Sequence, residues 1–263
     1  MPISADWQGN LRALTFGAGT DWEIEPPGIG GLGIPTARTS DAERGDRHGD
    51  VGGSDRLPRR ILSIPLVTTR TSPGAAWLAL EQEAKVAFAE SSADLELDLR
   101  LPAVPETDPV VRRFYGRARG LSEDLSLLKS STVRVLGTFE ALDPLGYGDE
   151  ISSDVEAPGT FTVDNIGTAS SDRVVLHFVG SGGIPVLTNA DDDGLAVIFG
   201  EALGAGEERI VDLRAATVVD LAGDDFYGEL SPVNQWTELR PGENELTLAG
   251  ATSVVVTFRP AYR

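Results

Sequence analysis

Asn189-Ala190-Asp191-Asp192-Asp193-Gly194 sets amide and carboxylate oxygens at alternate positions and then a glycine. This is the opening pattern of a calcium loop, in which a hard cation gathers oxygens from a short flexible segment. Asn189, Asp191 and Asp193 are therefore the candidate ligands. The closing bidentate Glu of such a loop would fall at Gly200, with Glu201 one residue late. The same residues, lying between two strand-like apolar runs, equally make the tip of a β-hairpin, so no metal is expected. Asp224-Asp225-Phe226-Tyr227 puts carboxylates beside aromatic rings. Two positioned carboxylates are the machinery of glycoside hydrolysis, and an exposed ring can stack on a sugar. With 41 acidic residues in the chain, pairs arise by chance, and no pair is set apart by apolar surroundings. Tyr227 and Trp236 are the glycan-binding candidates. Packing in a core is the commoner role for such rings, and Tyr262 has the same two readings.

Other constellations are weaker. His48 sits among Asp46, Asp50 and Asp55, which reads as a solvated loop unless geometry assembles a site. Gly28, Gly30, Gly31 and Gly33 lack the strand-loop-helix context and the Gly-Lys-Ser/Thr of a phosphate loop. There is no cysteine, and His48 and His177 are the two histidines. Thiolate metal sites and Cys nucleophiles are excluded, and the usual His-dependent hydrolytic machinery has little to draw on. No nucleophile elbow or metalloprotease helix appears. The expectation is a non-enzyme with no catalytic residue and no cofactor.

The chain of 263 residues is 41% hydrophobic, enough for one large or two ordinary cores. Its net charge of −19 argues against nucleic-acid binding, which needs clustered Lys and Arg. The charge is uneven. Residues 1–140 hold 16 basic and 20 acidic side chains, and residues 141–263 hold 6 and 21. That asymmetry points to two domains. No apolar run approaches a bilayer-spanning length, and Met1–Asp6 shows no basic segment followed by an apolar one. Neither membrane insertion nor a signal peptide is expected, and folding in a cytoplasm is the simplest expectation.

The positioning elements read mostly as strands. Trp22–Glu25 and Leu95–Leu101 alternate with period two, and strands are expected over Arg59–Thr68, Val110–Arg119 and Thr132–Phe139. Glu96 and Asp98 point away from the leucines and read as a solvated face. Arg112, Arg113, Arg117 and Arg119 either alternate out of a strand or answer an acidic partner, the first being preferred. One helix stands out, capped by Thr71 or Ser72 with Pro73 in its first turn, and Trp77, Leu80, Ala84 and Ala87 or Phe88 form its apolar face. Asp143-Pro144 and the glycines after it mark a domain boundary. Beyond it, short strands are expected at 160–164, 173–179, 184–188, 195–199, 208–213, 216–221, 235–239, 244–248 and 252–258. Their spacing suits a jelly-roll sandwich.

The order of these features resembles the distal tail protein family of long-tailed, non-contractile bacteriophages. The residues carrying the resemblance are the Gly/Asp-rich loop Arg44–Asp55, Arg59-Arg60-Ile61 opening a strand, the single helix, and Phe139-Glu140-Ala141-Leu142-Asp143-Pro144. In the second half they are Leu239-Arg240-Pro241-Gly242-Glu243-Asn244-Glu245-Leu246 and the closing Val254–Arg263. The resemblance implies a mainly β chain: residues 1–144 a β-sandwich-like ring domain with one α-helix, and residues 145–263 a galectin-like jelly-roll sandwich. It implies a homo-hexameric ring joining the tail tube to the tail tip or baseplate and surrounding the DNA channel. Tail tube, tape-measure and tail-hub proteins would be partners, with receptor-binding proteins or host cell-wall glycan at the outer domain. The location implied is the distal end of the virion tail, after assembly in the host cytoplasm. A carbohydrate-binding module is the alternative function.

Overall fold

A computed structural model describes residues 7–33, 42–43, 50–51, 57–68, 75–101, 110–124 and 132–263. Most of the Gly/Asp-rich stretch, His48 included, the capping residues Thr71, Ser72 and Pro73, and the Trp77 side chain lie outside what is described. The chain divides into two compact units, residues 1–146 and 147–262, with Arg263 grouped with the first.

In the first unit the strands are β1 (Gln8–Leu11), β2 (Leu14–Gly17), β3 (Glu23–Ile24), β4 (Ala42–Glu43), β5 (Asp50–Val51) and β6 (Arg60–Thr68). Helix α1 (Ala75–Phe88) follows, then β7 (Leu95–Leu101), β8 (Val110–Asp124) and β9 (Val133–Ala141); the short β10 (Gly146–Tyr147) falls at the division between the units. Antiparallel pairing runs β2-β1-β7-β8-β9-β6-β3. The end strands meet again where Gly17 N–H donates to Trp22 O at 2.6 Å, so the sheet curls into a near-barrel. Period-two alternation explains which side is filled: Leu62, Ile64 and Leu66 of β6, Leu97 and Leu99 of β7, and Val133, Val135 and Phe139 of β9 all point inward. The helix adds Leu80, Ala84, Ala87 and Phe88 to that core, the apolar face expected from its spacing. Strand β8 runs past the expected Arg119 through a bulge at Ala118/Gly120, where Gly120 takes a φ of +137°.

The second unit holds β11 (Ile151–Ser152), β12 (Gly159–Asn165), β13 (Val174–Gly180), β14 (Val186–Asn189), β15 (Leu195–Ile198) and β16 (Glu208–Asp212). It continues with β17 (Thr217–Val219), a single 3-10 turn at Tyr227–Glu229, β18 (Gly242–Ala249), β19 (Ala251–Phe258) and β20 (Ala261–Tyr262). A five-stranded sheet, β11-β19-β13-β16-β17, faces a four-stranded one, β12-β18-β14-β15. Their inner residues share one core, including Leu176 and Phe178 from β13, Val254 and Val256 from β19, and Leu246 and Leu248 from β18. The chain is thus mainly β with one regular α-helix among the described residues.

One expected strand does not form a ladder. Over 235–239 the backbone donors go to scattered acceptors: Gln235 N–H to Ala196 O, Glu238 N–H to the Asp192 carboxylate, and Leu239 N–H to Ser171 O. The segment is extended and anchored point by point. Its alternation reflects Thr237 and Leu239 pointing inward, not membership of a sheet.

Candidate functional site

The 189–194 segment is the tip of the β14–β15 hairpin, with Asp193 at φ +55° and Gly194 at φ +73°. Asn189 is fully buried. Its amide donates to Thr237 Oγ1 (3.1 Å) and Glu238 O (2.9 Å), and its Oδ1 accepts from Asp191 N–H (3.1 Å). Asp191 accepts the Glu245 N–H at 2.6 Å. Asp192 accepts from Thr237 Oγ1 and from Glu238 N–H, and both Asp192 and Asp193 meet Arg240 at 3.2 Å. The side chains considered for calcium therefore tie the hairpin tip to 237–245. Among the described residues no group of three or more His, Cys, Asp or Glu side chains is arranged to hold a metal. The neighbouring Glu238 has its pKa raised, by partial desolvation first and then by the charges of Asp172 and Asp192, with Arg240 pulling the other way.

The glycan candidates sit in different settings. Tyr227 lies in the 3-10 turn with 52% of its surface exposed. Trp236 is half-buried and packs against the second core. Next to Tyr227 in sequence, Phe226 is covered by the Arg209 guanidinium at 3.8 Å, and Arg209 makes a two-pronged pair with Glu229 at 2.9 and 3.0 Å. That pair raises the Arg209 pKa. The arginines of β8 find partners within their own unit. Arg113 meets Asp98 at 3.0 Å and Glu96 at 3.5 Å, Arg117 meets Asp94 at 3.2 Å, and Arg119 pairs with Glu140. Arg59 also pairs with Glu140. The outward alternation of the strand thus accounts for Arg113 and Arg117; Glu96 and Asp98 neutralise the first and Asp94 the second.

Two sets of residues have roles that their local sequence does not give. Asn165, Asn189 and Asn244 are fully buried amides. Asn244 explains its place in the Leu239–Leu246 motif: it donates to Arg240 O (2.8 Å) and Gly242 O (2.9 Å) and accepts from Arg240 N–H (2.8 Å). It thereby closes the turn in which Gly242 takes a φ of +91°. The other set is Arg173, Arg214 and Arg259, distant in sequence, which line one cleft of about 500 Å³ at an end of the five-stranded sheet. Only their folding brings them together.

No model of a known protein family matches the sequence, and no curated protein matches it. Solved structures do. SPP1 Dit, described as a paradigm of the hub adsorption apparatus in phages infecting Gram-positive bacteria, superposes with a TM-score of 0.76 at 16% identity, over 98% of this chain and 99% of that one. A chain of the phage P2 baseplate in its activated conformation with calcium gives 0.57 at 9% identity, over 96% and 97%. The strontium form of that baseplate gives 0.56 at 9%, over 96% and 97%. From one end to the other, this chain has the fold of a phage distal tail protein.

Proposed function

We propose that this chain is a distal tail protein, a structural component of a phage tail rather than an enzyme. The observation that carries the reading is the extent of the SPP1 Dit likeness, which spans both units and leaves almost none of either chain unmatched. A likeness confined to the sandwich would fit any β-sandwich binding module; one that takes in the curled sheet, its single helix and the sandwich together is far more restrictive. In this reading six copies form a ring through residues 1–144, joining the tail tube to the tail tip or baseplate, while residues 145–263 project outward. Tube, tape-measure and hub proteins contact the ring. It resides at the distal end of the virion tail, having assembled in the host cytoplasm. The acidic balance, net −19, suits a conduit that DNA must traverse without adhering. Light scattering on the purified full chain tests the assembly. The expected result is a species six times the 27.8 kDa chain mass, appearing as an annulus in electron micrographs. A strict monomer that also fails to join tail tubes contradicts the proposal.

A further inference from the structure

The two sheets of the second unit end in four strands, and three of these ends are short or covered. Residues 224–226 lie along β17, where Phe226 N–H donates to Val218 O at 2.8 Å. Residues 230–235 lie along β15, where Ser231 N–H donates to Ile198 O and Gln235 N–H to Ala196 O. The third end, β11, is two residues long. The fourth is β12, seven residues long and paired only with β18. The orientation of β18 decides which main-chain groups of β12 are free. Glu245 turns toward the β14–β15 hairpin, donating its N–H to Asp191 at 2.6 Å and accepting from Ala190 N–H at 3.0 Å. Main-chain groups alternate between the two sides of a strand, so those of Asn244 and Leu246 face β12, opposite Val163 and Phe161. Thr160, Thr162 and Asp164 therefore point their N–H and C=O groups away from β18, where they have no main-chain partner among the described residues.

An open row of donors and acceptors is a template for one more strand. The side chains beside it state what that strand must carry. On the inner face, Val163 is buried but Phe161 is only partly so, packed against the margin of the second core. An apolar side chain arriving on that face would complete its cover. On the outer face, Thr160, Thr162 and Asp164 lie opposite Thr247, Glu245 and Glu243 of β18, all exposed. Neither strand contains Lys or Arg, and Asp164, Glu243 and Glu245 have no cationic partner among the described residues. A second copy of β12 would bring like charges together, which is unfavourable across strands. A strand with basic residues on its outer face would neutralise them.

We propose that the free edge of β12 takes up, as an added strand, an extended segment of another protein in which apolar and basic residues alternate. The proposal stands whether or not the chain forms a tail ring. Synthetic capped peptides test it on the full chain: alternating Val and Lys, alternating Val and Glu, and the Val-Lys peptide N-methylated on its lysine main-chain amides. Those are the amides that face β12 when the valines turn inward, and methylation removes them while keeping every charge. The Val-Lys peptide binds, and it slows hydrogen exchange within residues 159–165. The methylated peptide and the Val-Glu peptide each bind about tenfold or more weakly, the loss expected when several hydrogen bonds or charge pairs go. Thr162→Pro weakens binding similarly, since it deletes an N–H that faces away from β18 and leaves that ladder intact. Asp164→Lys narrows the preference for the basic over the acidic peptide, a change of selectivity that misfolding cannot mimic. Equal binding of the methylated and unmethylated Val-Lys peptides overturns the proposal, because attraction to an acidic surface then explains it. Lack of binding, or protection confined to another segment, overturns it too. A dimer of the chain alone that Thr162→Pro dissociates overturns the choice of partner in favour of a second copy.

Discussion

Glu140 shows how a single carboxylate is made to serve the fold. It is 5% exposed on the outer side of β9, bracketed by Arg119 and Arg59. The hydrogen bond from Arg119 and the charges of both arginines hold its pKa below the ordinary 4.5 against the opposing effect of burial. A carboxyl whose folded pKa is depressed contributes stability that is present above its unfolded value and is lost as pH falls through the folded one. Glu140→Gln should therefore destabilise the chain by about 1–3 kcal/mol near neutrality. The difference from the parent should shrink below about pH 4, as read from urea midpoints across pH. Glu238 has the opposite sign. Its raised pKa means that ionisation costs stability in the fold, so the penalty is present above the folded pKa and relieved as pH falls through it. Glu238→Gln should raise the melting temperature at neutral pH and lose that advantage in acid. Asn244→Ala removes the closure of its turn and the donor to Arg240 O and Gly242 O, so a loss of about 1–3 kcal/mol is expected by chemical denaturation.

At the scale of elements, Phe88 is the large ring by which the helix enters the core. Phe88 lies over Gly137 of β9, where an added Cβ would come within 2.3 Å of the ring. Gly137→Ala should cost about 1–3 kcal/mol through overpacking, and Phe88→Ala about 3–5 kcal/mol through the cavity it leaves; thermal unfolding of the two variants checks both. Elements with strong periodicity were legible before folding was considered. The leucines of β7 and the Leu80/Ala84/Ala87 stripe have one side to bury, and alternation or helical spacing announces it. The 235–239 segment misled because alternation reports burial, not pairing, and its donors are taken by side chains and loops. The hairpin tip at 189–194 was legible as a turn. What its oxygens do was not, since Thr237, Arg240 and Glu245, which occupy them, lie some fifty residues further on. For the same reason the Arg173/Arg214/Arg259 cleft has no sequence signature: it exists only through the register of β13, β16 and β19.

For the whole molecule, the proposed ring sets six strongly acidic chains side by side. Their mutual repulsion extends about 30 Å at 0.01 M salt and about 8 Å at 0.15 M. The hexamer fraction should therefore rise with ionic strength over that interval, as followed by mass photometry. A ring held chiefly by attraction between opposite charges would show the reverse. The most direct test of the tail-hub account is a cryo-EM reconstruction of the tail tip from virions that carry this chain. The account predicts six copies at the distal end of the tube, with residues 1–144 encircling the channel and residues 145–263 outside it. Density for this chain elsewhere in the particle, or its absence from the virion, would contradict it.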